Sequence, residues 1–478
     1  MNLTVADIAA ATGGRVAQGD PAATASGVCT DTRTLAPGDL FVALVGEVHD
    51  AHDYLPAACA AGAAGTLAAR CPDGLPPNWP VVLVPDTTLA YAALAGWWRQ
   101  RMPAGVLGIT GSNGKTTTKE MAAHLLAALG PTLRSEANHN NHIGVPETLL
   151  RIRPHHRFAV VEMGTNHFGE IERLARLVRP NVGVITNIGA THLEAFGCEV
   201  GVAHEKARLL DFLAPGGLAV LHADDPGSRA IADARAGRTA TFGFAGDAQW
   251  RATHVALGTE HVGFTLARTG ERVIVPVAGG WQVSNCLAAM AAASEMGMAV
   301  REAAARMAGF VGPKWRMDVQ QVGDLTLILD CYNANPTSMH AVLEELARRP
   351  APGRRVAVLG DMFELGPMAE DAHKAVGRLV ASAGIDLVCA VGEQSALLVG
   401  EALRQGLPAS RVTWAADGEE AARWLRSRLE AADTVLFKGS RGMHLEDVAE
   451  AVVAWARAHA QPVGVGGPAV ARHPSGGV

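Results

Sequence analysis

A strand, a glycine-rich loop and a helix follow one another in VLGITGSNGKTTTKEMAAHLL, residues 106–126, and this segment constrains the fold more than any other. The apolar run from Val106 to Ile109 predicts a buried strand, and apolar residues recur at helical spacing after the loop. Glycines in such a loop let backbone N–H groups approach phosphate oxygens, and the helix N-terminus adds partial positive charge. Lys115 is placed to reach terminal phosphates, and the Thr116 hydroxyl is placed to bind a magnesium ion. We therefore expect a nucleoside triphosphate to bind the loop residues Gly111, Ser112, Asn113, Gly114, Lys115, Thr116 and Thr117.

The segment departs from the strict phosphate-loop motif at one position. Ile109 stands where that motif has its first glycine, so the pattern here is the close variant GxxGxxGKT. The alternative interpretation is an ordinary glycine-rich turn with a chance Lys-Thr pair. The predicted strand and helix on either side of the loop disfavour that alternative.

Length and charge limit the classes of protein to consider. A chain of 478 residues is too long for one ordinary core and favours about three domains. The net charge of −6, with both signs interspersed, gives no reason to expect nucleic acid or insertion into a membrane. The seven cysteines form no C-x-x-C pair, and the N-terminus has no basic segment before an apolar one. We therefore expect a cytoplasmic protein with reduced thiols.

Alternating strand and helix patterns divide the chain into α/β units. Residues 1–84 form a first unit of short strands and helices, and residues 85–313 carry the phosphate loop on a parallel sheet. The Gly/Pro-rich segment GFVGPKWRMD marks a hinge, after which residues 314–461 repeat the alternation as a small doubly wound domain. No glycine-rich fingerprint occurs in this last unit, so we expect no second complete nucleotide site. The tail, residues 462–478, is rich in glycine and proline and is predicted to be disordered.

Polar residues follow several predicted strands of the central unit. Glu162 ends a buried strand, and His192 lies just beyond another, so both should share one edge of the sheet with the phosphate loop. A buried carboxylate is costly unless a cation or hydrogen bonds satisfy it, which makes Glu162 a candidate metal ligand, although it could instead cap the next helix. A lone histidine is more often a hydrogen-bonded loop residue, and the helix pattern alone marks Lys206 as a solvated lysine. Asn285, just inside a helix of small residues, either caps that helix or faces a ligand.

Two further clusters contain candidate binding residues. The run NHNNH has more side-chain amides than a structural loop needs, and we predict that Asn138 and Asn141 bind substrate. Near the start of the chain, Asp31, Thr32 and Arg33 follow a strand-like segment. On their own, Asp31 and Arg33 are more simply explained as a surface ion pair, since such pairs are common and weak.

Seven motifs taken in order resemble the Mur ligase family, the ATP-dependent amide-forming enzymes of peptidoglycan assembly. Within that family they are most similar to the branch that adds D-alanyl-D-alanine. The likeness spans the whole chain except the tail. The motifs are TGSNGKTTTKEM, NHNNHIGVPETLL, VVEMGTNHFGEI, TNIGATHLEAFG, DCYNANPTSM, GDMFELG and KGSRG.

The resemblance implies a three-domain α/β architecture. A central P-loop domain with a parallel sheet would be flanked by a small N-terminal α/β domain and a Rossmann-like C-terminal domain. It also implies ATP and two Mg²⁺ ions as cofactors, and UDP-N-acetylmuramoyl-tripeptide and D-alanyl-D-alanine as substrates, joined through an acyl phosphate. We expect the enzyme to act as a monomer.

The resemblance also implies roles for individual residues. Thr116 and Glu162 match magnesium ligands, His192 matches a ligand of the second ion, and Lys206 matches a lysine that carbon dioxide carbamylates. The catalytic residues would be Lys115, Glu162, His192 and Lys206. Three positions are expected to contact ATP: Asn285 at adenine, Arg316 at phosphate and Asp330 at ribose. The UDP end of the acceptor is expected to contact Asp31, Thr32 and Arg33.

The chain departs from the family pattern at several positions, and some roles stay open. Trp281 and Gln282 replace a usual His-Asn pair, Ala51 replaces a usual glycine, and Cys331 stands where small polar residues are common. No residue is assigned as the base that deprotonates the incoming amine. Ser440 and Asn335 are candidates for gripping the dipeptide.

Three other functions compete with this interpretation. A folate-type glutamate ligase would share the ATP loop but would have no purpose for a UDP-binding first domain. A small-molecule kinase or nucleotide-driven switch would need only the loop and the metal residues. A non-catalytic scaffold on this fold would be expected to have lost Lys115, Thr116 or Glu162, and all three are present.

Overall fold

The computed structural model of the chain describes residues 1–71 and 74–459. This part is mixed α/β, with sheets of two, five, nine and six strands taken along the chain, as predicted from the alternating patterns. The segment predicted to be a disordered tail, residues 462–478, lies outside the described residues. Within the described ranges, no helix combines the length and hydropathy that a membrane crossing requires.

The first unit has a mostly parallel five-stranded sheet, in the order β2-β7-β6-β5-β4, and a separate β1–β3 pair. Helix α1 begins at a capping box in which Thr4 and Asp7 satisfy each other's backbone N–H groups, and it ends at Gly13, whose φ is 67°. The elements are β1 (Leu3–Thr4), α1 (Val5–Thr12), β2 (Arg15–Gln18), β3 (Thr24–Ala25), β4 (Gly27–Cys29), β5 (Asp39–Val42), α2 (Leu55–Ala60), β6 (Gly65–Ala68), β7 (Val81–Leu83) and α3 (Thr87–Arg99).

The central sheet has nine strands in the order β16-β15-β14-β13-β12-β11-β8-β10-β9. The strands from β14 to β9 in this order are parallel, whereas β14, β15 and β16 pair antiparallel. Its strands are β8 (Gly105–Thr110), β9 (Thr132–Arg134), β10 (Phe158–Glu162), β11 (Val182–Ile185), β12 (Leu218–His222), β13 (Thr239–Gly243), β14 (Trp250–Leu257), β15 (Val262–Leu266) and β16 (Arg272–Val275). Its helices are α4 (Lys115–Ala127), α5 (Gly144–Leu150), α6 (Glu170–Val178), α7 (Leu193–Phe196), α8 (Glu199–Ala207), α9 (Pro226–Ala234), α10 (Gln282–Glu295) and α11 (Val300–Arg306).

Helices cover both faces of this sheet, which explains why its parallel strands are apolar throughout. Helices α4 and α10 pack on one face, and the small side chains of α10 let it lie close to the sheet. Helix α3 packs on the other face beside α5 and α6 and also contacts α1, so it joins the first unit to the central one. The Trp98 indole fixes this contact by donating to the Ile152 carbonyl at 2.9 Å.

The last unit has six strands in the order β17-β18-β22-β19-β20-β21, all parallel except β17. Because β22 is inserted between β18 and β19, the loop after β22 lies between the loops that follow those two strands. The elements are β17 (Asp318–Val322), β18 (Leu325–Leu329), α12 (Pro336–Arg348), β19 (Arg355–Gly360), α13 (Ala369–Ser382), β20 (Leu387–Val391), α14 (Ser395–Arg404), β21 (Val412–Ala415), α15 (Gly418–Arg428), β22 (Thr434–Lys438) and α16 (Leu445–His459).

The last unit packs directly on the central one. Ala278 and Trp281, which precede α10, join the apolar cluster formed by Met339 and other residues of the last unit. Arg348, at the end of α12, donates to the Leu257 carbonyl at 3.3 Å. These contacts hold the last unit against the central one.

Candidate active site

The predicted phosphate loop connects β8 to α4 in a conformation that requires glycine at two positions. Gly111 has a φ of 146° and Gly114 a φ of 80°, both in the region that L-residues rarely adopt. A Cβ atom at Gly111 would collide with the Thr186 side chain, and one at Gly114 would collide with Asn285 Oδ1. No side chain caps the start of α4, so its first N–H groups are available for an anion. The loop therefore has the geometry of a phosphate cradle.

The loop is held in place by the segment after β11. The backbone N–H groups of Ser112 and Asn113 donate to the carbonyl and the side-chain oxygen of Asn187, at 3.0 and 2.9 Å. The Ser112 hydroxyl donates to the Gly189 carbonyl at 3.0 Å. These bonds fix the loop before a ligand binds, so little ordering is left to do on binding.

Lys115 folds back over the loop, where its Nζ donates to the Gly111 carbonyl at 2.8 Å and the Ser112 carbonyl at 3.2 Å. Burial lowers the pKa of Lys115, the negative charge of Glu162 opposes that shift, and the positive charge of Arg316 adds to it. The three charged groups are therefore close enough to influence one another.

Glu162 lies at the end of β10 with only 2% of its surface exposed. Its Oε1 accepts hydrogen bonds from Thr116 Oγ1 at 3.3 Å and from Asn140 Nδ2 at 2.9 Å. Its Oε2 has no hydrogen-bond partner, and the nearest cation, Lys119 Nζ, lies 3.7 Å away and is also held by Glu120 at 3.1 Å. A buried carboxylate oxygen without a hydrogen bond is unfavourable unless a cation binds it. Thr116 and Glu162 thus present the oxygen ligands that Mg²⁺ prefers.

Asn140 is a site residue that the sequence did not single out. The structure brings its amide to Glu162, whereas the side chain of Asn141 accepts from the Ile143 and Gly144 N–H groups at the start of α5, and Asn138 is exposed. The density of amides in NHNNH indicated the loop correctly. It could not indicate which amide points inward, because that depends on the local turn.

His192 is one of several non-glycine residues with a left-handed backbone, with a φ of 51°. Its Nδ1 lies 2.6 Å from Oε2 of Glu364, which belongs to the loop after β19 and also has a positive φ, 63°. This contact with His192 is the main cause that lowers the pKa of Glu364. Sequence reasoning did not predict the pair, since it forms only when the last unit packs on the central one.

Lys206, on α8, is 2% exposed and is not the solvated lysine that its helix pattern suggests. Burial is the largest cause that lowers its pKa, to about 7, and the charge of Lys115 adds to the effect. The adjacent Glu205 is engaged elsewhere, accepting from the backbone N–H groups of Gly169 and Ile171 at 2.8 and 2.7 Å. Lys206 is thus a buried amine within electrostatic reach of the phosphate-loop lysine.

The last unit supplies the opposite wall of the site. Arg316 stacks over the Tyr332 ring with its Cζ 4.0 Å from the ring centroid, and the charge of Glu162 is among the causes that raise the pKa of Tyr332. Asn335 donates to Asn113 Oδ1 at 2.7 Å, so the start of α12 touches the phosphate loop. Asp330 forms an ion pair of 2.9 Å with Lys438. The structure therefore gathers the phosphate loop, the candidate metal ligands and residues of the last unit around one cleft.

Models of two protein domains match this chain over most of its length. The Mur ligase middle domain matches residues 109–293, and the Mur ligase, glutamate ligase domain matches residues 315–441. The chain belongs to the Mur ligase family. The predicted family and the predicted enzyme class, an ATP-dependent ligase, are confirmed.

Named relatives align with nearly the whole of this Mur ligase. The UDP-N-acetylmuramoyl-tripeptide–D-alanyl-D-alanine ligase of Escherichia coli is 38% identical over 445 residues, which cover 90% of this chain and 94% of the relative. The enzyme of the same name from Bacillus subtilis is 34% identical over 428 residues, 89% of this chain and 93% of the relative. The crystal structure of MurF from Acinetobacter baumannii, 31% identical, matches with a TM-score of 0.87 over 95% of this chain and 99% of that chain.

Two further solved structures match this Mur ligase at lower sequence identity. Folylpolyglutamate synthase from Mycobacterium tuberculosis is 17% identical, with a TM-score of 0.60 over 77% of this chain, and so shares the fold alone. MurF from Thermotoga maritima, solved in complex with ADP, is 26% identical, with a TM-score of 0.80 over 90% of this chain and 98% of that chain. The three-domain architecture that the family resemblance implied is confirmed by these structures.

Residues that depart from the family pattern have identifiable contacts. Gln282 Oε1 accepts from Asn285 Nδ2 at 2.8 Å, and Asn285 Oδ1 accepts from Thr118 at 3.4 Å, so Asn285 is oriented beside Gly114. Trp281 packs on the last unit rather than facing the loop. Burial raises the pKa of the Cys331 thiol to about 12, which leaves it a neutral core residue.

Some predicted residues lie away from these contacts. Arg33 and Asp31 form an ion pair of 2.6 Å in which Arg33 is 86% exposed, and Thr32 between them is partly buried. Ser440 is buried and accepts from the Phe363 N–H at 2.9 Å.

Proposed function

We propose that this Mur ligase joins D-alanyl-D-alanine to UDP-N-acetylmuramoyl-tripeptide while converting ATP to ADP and phosphate. The observation that carries the proposal is the meeting of three features in one cleft: the phosphate loop, the buried Glu162 and the Arg316–Tyr332 wall of the last unit. Relatives with this printed name align along nearly the whole chain. The relative solved with ADP supports the use of ATP.

The chemistry explains why ATP is needed. A carboxylate does not react with an amine, because oxide is a poor leaving group and the anion repels nucleophiles. Transfer of the γ-phosphoryl group to the carboxylate of the tripeptide gives an acyl phosphate, whose phosphate can leave when the dipeptide amine attacks the carbonyl. The tetrahedral intermediate then collapses to an amide and free phosphate.

The basic residues of the cleft would counter the charge that accumulates when ATP meets the carboxylate. Lys115 is already folded over the loop, and the positive charge of Arg316 lowers the pKa of Lys115. Both cations would counter the negative charge of ATP and the carboxylate. Thr116 and the unpartnered Oε2 of Glu162 would hold a Mg²⁺ ion. Such an ion neutralises phosphate charge and polarises phosphoryl oxygens.

We propose His192 and a carbamylated Lys206 as ligands toward a second ion. An ammonium group repels Mg²⁺, whereas a carbamate offers carboxylate-like oxygens. The buried position of Lys206 beside Lys115 supports the modification, because carbon dioxide reacts with a neutral amine and the pKa of Lys206 is lowered to about 7. A Lys206→Ala variant should regain part of its activity with short carboxylic acids such as formate or acetate. A folded, metal-binding variant that shows no rescue would contradict the carbamate.

We also propose a role for each domain. Residues 1–84 would hold the UDP end through Asp31, Thr32 and Arg33. Residues 85–313 would bind ATP, and would bind the acceptor through Asn138 and Asn141. Residues 314–461 would bind the dipeptide and would contact the nucleotide through Asp330. Asn285, beside Gly114, would contact adenine. Closure of the units around the acyl phosphate would exclude water, which would otherwise hydrolyse it. We propose a monomer that acts in the cytoplasm, where these substrates are made.

The experiment that tests this function supplies ATP, Mg²⁺ and the UDP-linked tripeptide with a panel of amines. D-alanyl-D-alanine should release one phosphate per new peptide product, measured by mass, whereas D-glutamate or single amino acids should release little. A kinase or nucleotide switch would instead give phosphate transfer or ATP turnover without an amide. That result would reject the proposal.

A further inference from the structure

Three loops of the last unit follow its parallel strands β18, β22 and β19 at the carboxyl edge of the six-stranded sheet. They are residues 330–335 after β18, residues 439–444 after β22 and residues 361–366 after β19. The first loop reaches the phosphate loop, through Asn335 and Asn113, and the third reaches the metal side, through Glu364 and His192. Since β22 lies between β18 and β19, residues 439–444 occupy the middle of this rim.

Arg441 is the one arginine or lysine among these three loops. Its side chain is 54% exposed, and its Cζ lies 5.7 Å from the centroid of the Tyr332 ring. Arg316 stacks on the same ring, so two guanidinium groups converge on one aromatic side chain. The ring and the two arginines form a cationic wall between the two interdomain contacts.

The guanidinium of Arg441 is held on one side by Glu446 and has further N–H donors available for a ligand. Nη1 lies 2.6 Å from Glu446 Oε1 in an ion pair, and the side chain of Glu446 is only 10% exposed. A guanidinium has five N–H donors in a planar fork, so one edge can be held by Glu446 while the other receives a second carboxylate. The exposure of Arg441 leaves that second edge accessible.

The other cations near this rim are already committed. Lys438 is buried and bound to Asp330 at 2.9 Å and to the Asn333 carbonyl at 2.7 Å. Arg316 is stacked on the Tyr332 ring, with its Cζ 4.0 Å from the ring centroid. A substrate anion that approaches from the last unit would therefore meet Arg441.

We propose that Arg441 binds the C-terminal carboxylate of the incoming dipeptide and so orients its amine toward the acyl phosphate. This inference rests on the proposed function. The two ends of an extended dipeptide are separated by about 7 Å, so the cation that binds one end must lie near the reacting carbonyl. A fork-shaped donor matches a carboxylate in two hydrogen bonds and thereby fixes direction as well as position. Recognition of a free carboxylate would also make the enzyme prefer a dipeptide to the same sequence inside a longer chain.

The test pairs a change in the enzyme with a change in the substrate. D-alanyl-D-alanine and its C-terminal carboxamide are compared as amine substrates, with ATP and the UDP-linked tripeptide saturating. The wild-type enzyme should use the carboxamide with a kcat/KM about 50-fold lower, the size expected when a hydrogen-bonded charge is removed. In Arg441→Ala, kcat/KM for the acid should fall about 50-fold while that for the carboxamide falls less than about threefold. The acid-to-carboxamide ratio should therefore collapse, with KM for ATP and for the tripeptide almost unchanged.

Two variants complete the design. Arg441→Lys keeps a positive charge for Glu446 but lacks the fork, so its ratio should be intermediate, and this variant decides the question if Arg441→Ala does not fold. Arg423→Ala is the matched control, since Arg423 is also a mostly exposed arginine paired with a glutamate, Glu419 at 2.7 Å, and its ratio should equal that of the wild type. The inference is overturned if Arg441→Ala impairs acid and carboxamide equally, or if it raises KM for the tripeptide instead. A wild-type enzyme that ligates neither amine overturns the proposed function as well.

Discussion

Asn335 Nδ2 donates a hydrogen bond of 2.7 Å to Asn113 Oδ1 and thereby ties the first turn of α12 to the phosphate loop. The same side chain caps α12, because its Oδ1 accepts from the Ser338 N–H at 2.9 Å. One residue thus links the fold of the last unit to the position of that unit over the ATP site.

Asn335→Asp separates these two roles. The carboxylate still caps the helix, but it has no donor for Asn113 and adds a negative charge beside the phosphates. In Asn335→Asp we expect kcat/KM for ATP to fall about tenfold, with the unfolding temperature nearly unchanged. Asn335→Ala should lose the helix cap as well, so that both its activity and its unfolding temperature fall. Steady-state kinetics and thermal unfolding check this. Wild-type ATP kinetics in Asn335→Asp would show that the contact has no catalytic role.

Lys115→Ala removes the cation that folds over the loop. ATP-dependent phosphate release should fall by about a thousandfold, since one charge-stabilising group commonly contributes about that much to the rate. Lys374→Ala, which changes a lysine in a surface pair with Glu370, serves as the control and should retain the parental rate. Ligation by Lys115→Ala at a rate close to the parental one would refute its role.

Glu162→Gln should affect metal affinity and stability differently. The amide is a weaker Mg²⁺ ligand, so Mn²⁺ affinity in the presence of a non-hydrolysable ATP analogue should fall roughly tenfold or more. The free energy of unfolding of the metal-free protein should change little, because the amide removes a buried carboxylate oxygen without a hydrogen bond but also loses the 3.7 Å ion pair with Lys119, which Glu120 still pairs. Paramagnetic resonance of Mn²⁺ and urea unfolding measure the two effects. Equal metal affinity in both proteins would exclude Glu162 as a ligand.

Lys206 predicts a pH dependence of stability in metal-free, carbonate-free buffer. The pKa is about 7 in the folded protein and about 10.4 in an unfolded chain, so between these values the unfolded state binds the extra proton. The free energy of unfolding of the wild type, relative to Lys206→Met, should therefore rise as the pH increases from 7 to 10. A difference that stays constant across this range would mean that Lys206 titrates as an ordinary lysine.

Local pattern was enough to predict the centre of the site. The strand, loop and helix around Lys115 depend on neighbours in sequence, and the carboxyl ends of parallel strands necessarily share an edge, which brought Glu162 to the loop. The strand–helix alternation predicted for the last unit is present, because its buried parallel strands β18, β19, β20 and β22 are continuous apolar runs.

Contacts between distant segments were beyond sequence reasoning. The pairing of His192 with Glu364 arises only when two domains meet, and the stacking of Arg316 on Tyr332 joins two separate loops of the last unit, so no periodicity encodes either contact. Asn140 was missed for a local reason, since the direction of a loop side chain depends on turn geometry. The burial of Lys206 was also invisible in its helix pattern, because what covers that helix is set by the tertiary packing.

The most direct test of the ligase mechanism follows oxygen. The acceptor tripeptide is prepared with ¹⁸O in its terminal carboxylate and incubated with ATP, Mg²⁺ and D-alanyl-D-alanine. Passage through an acyl phosphate predicts one ¹⁸O atom in each released phosphate, with the other retained in the amide product. Released phosphate free of ¹⁸O, or label-free ATP turnover without a new amide, would contradict the account.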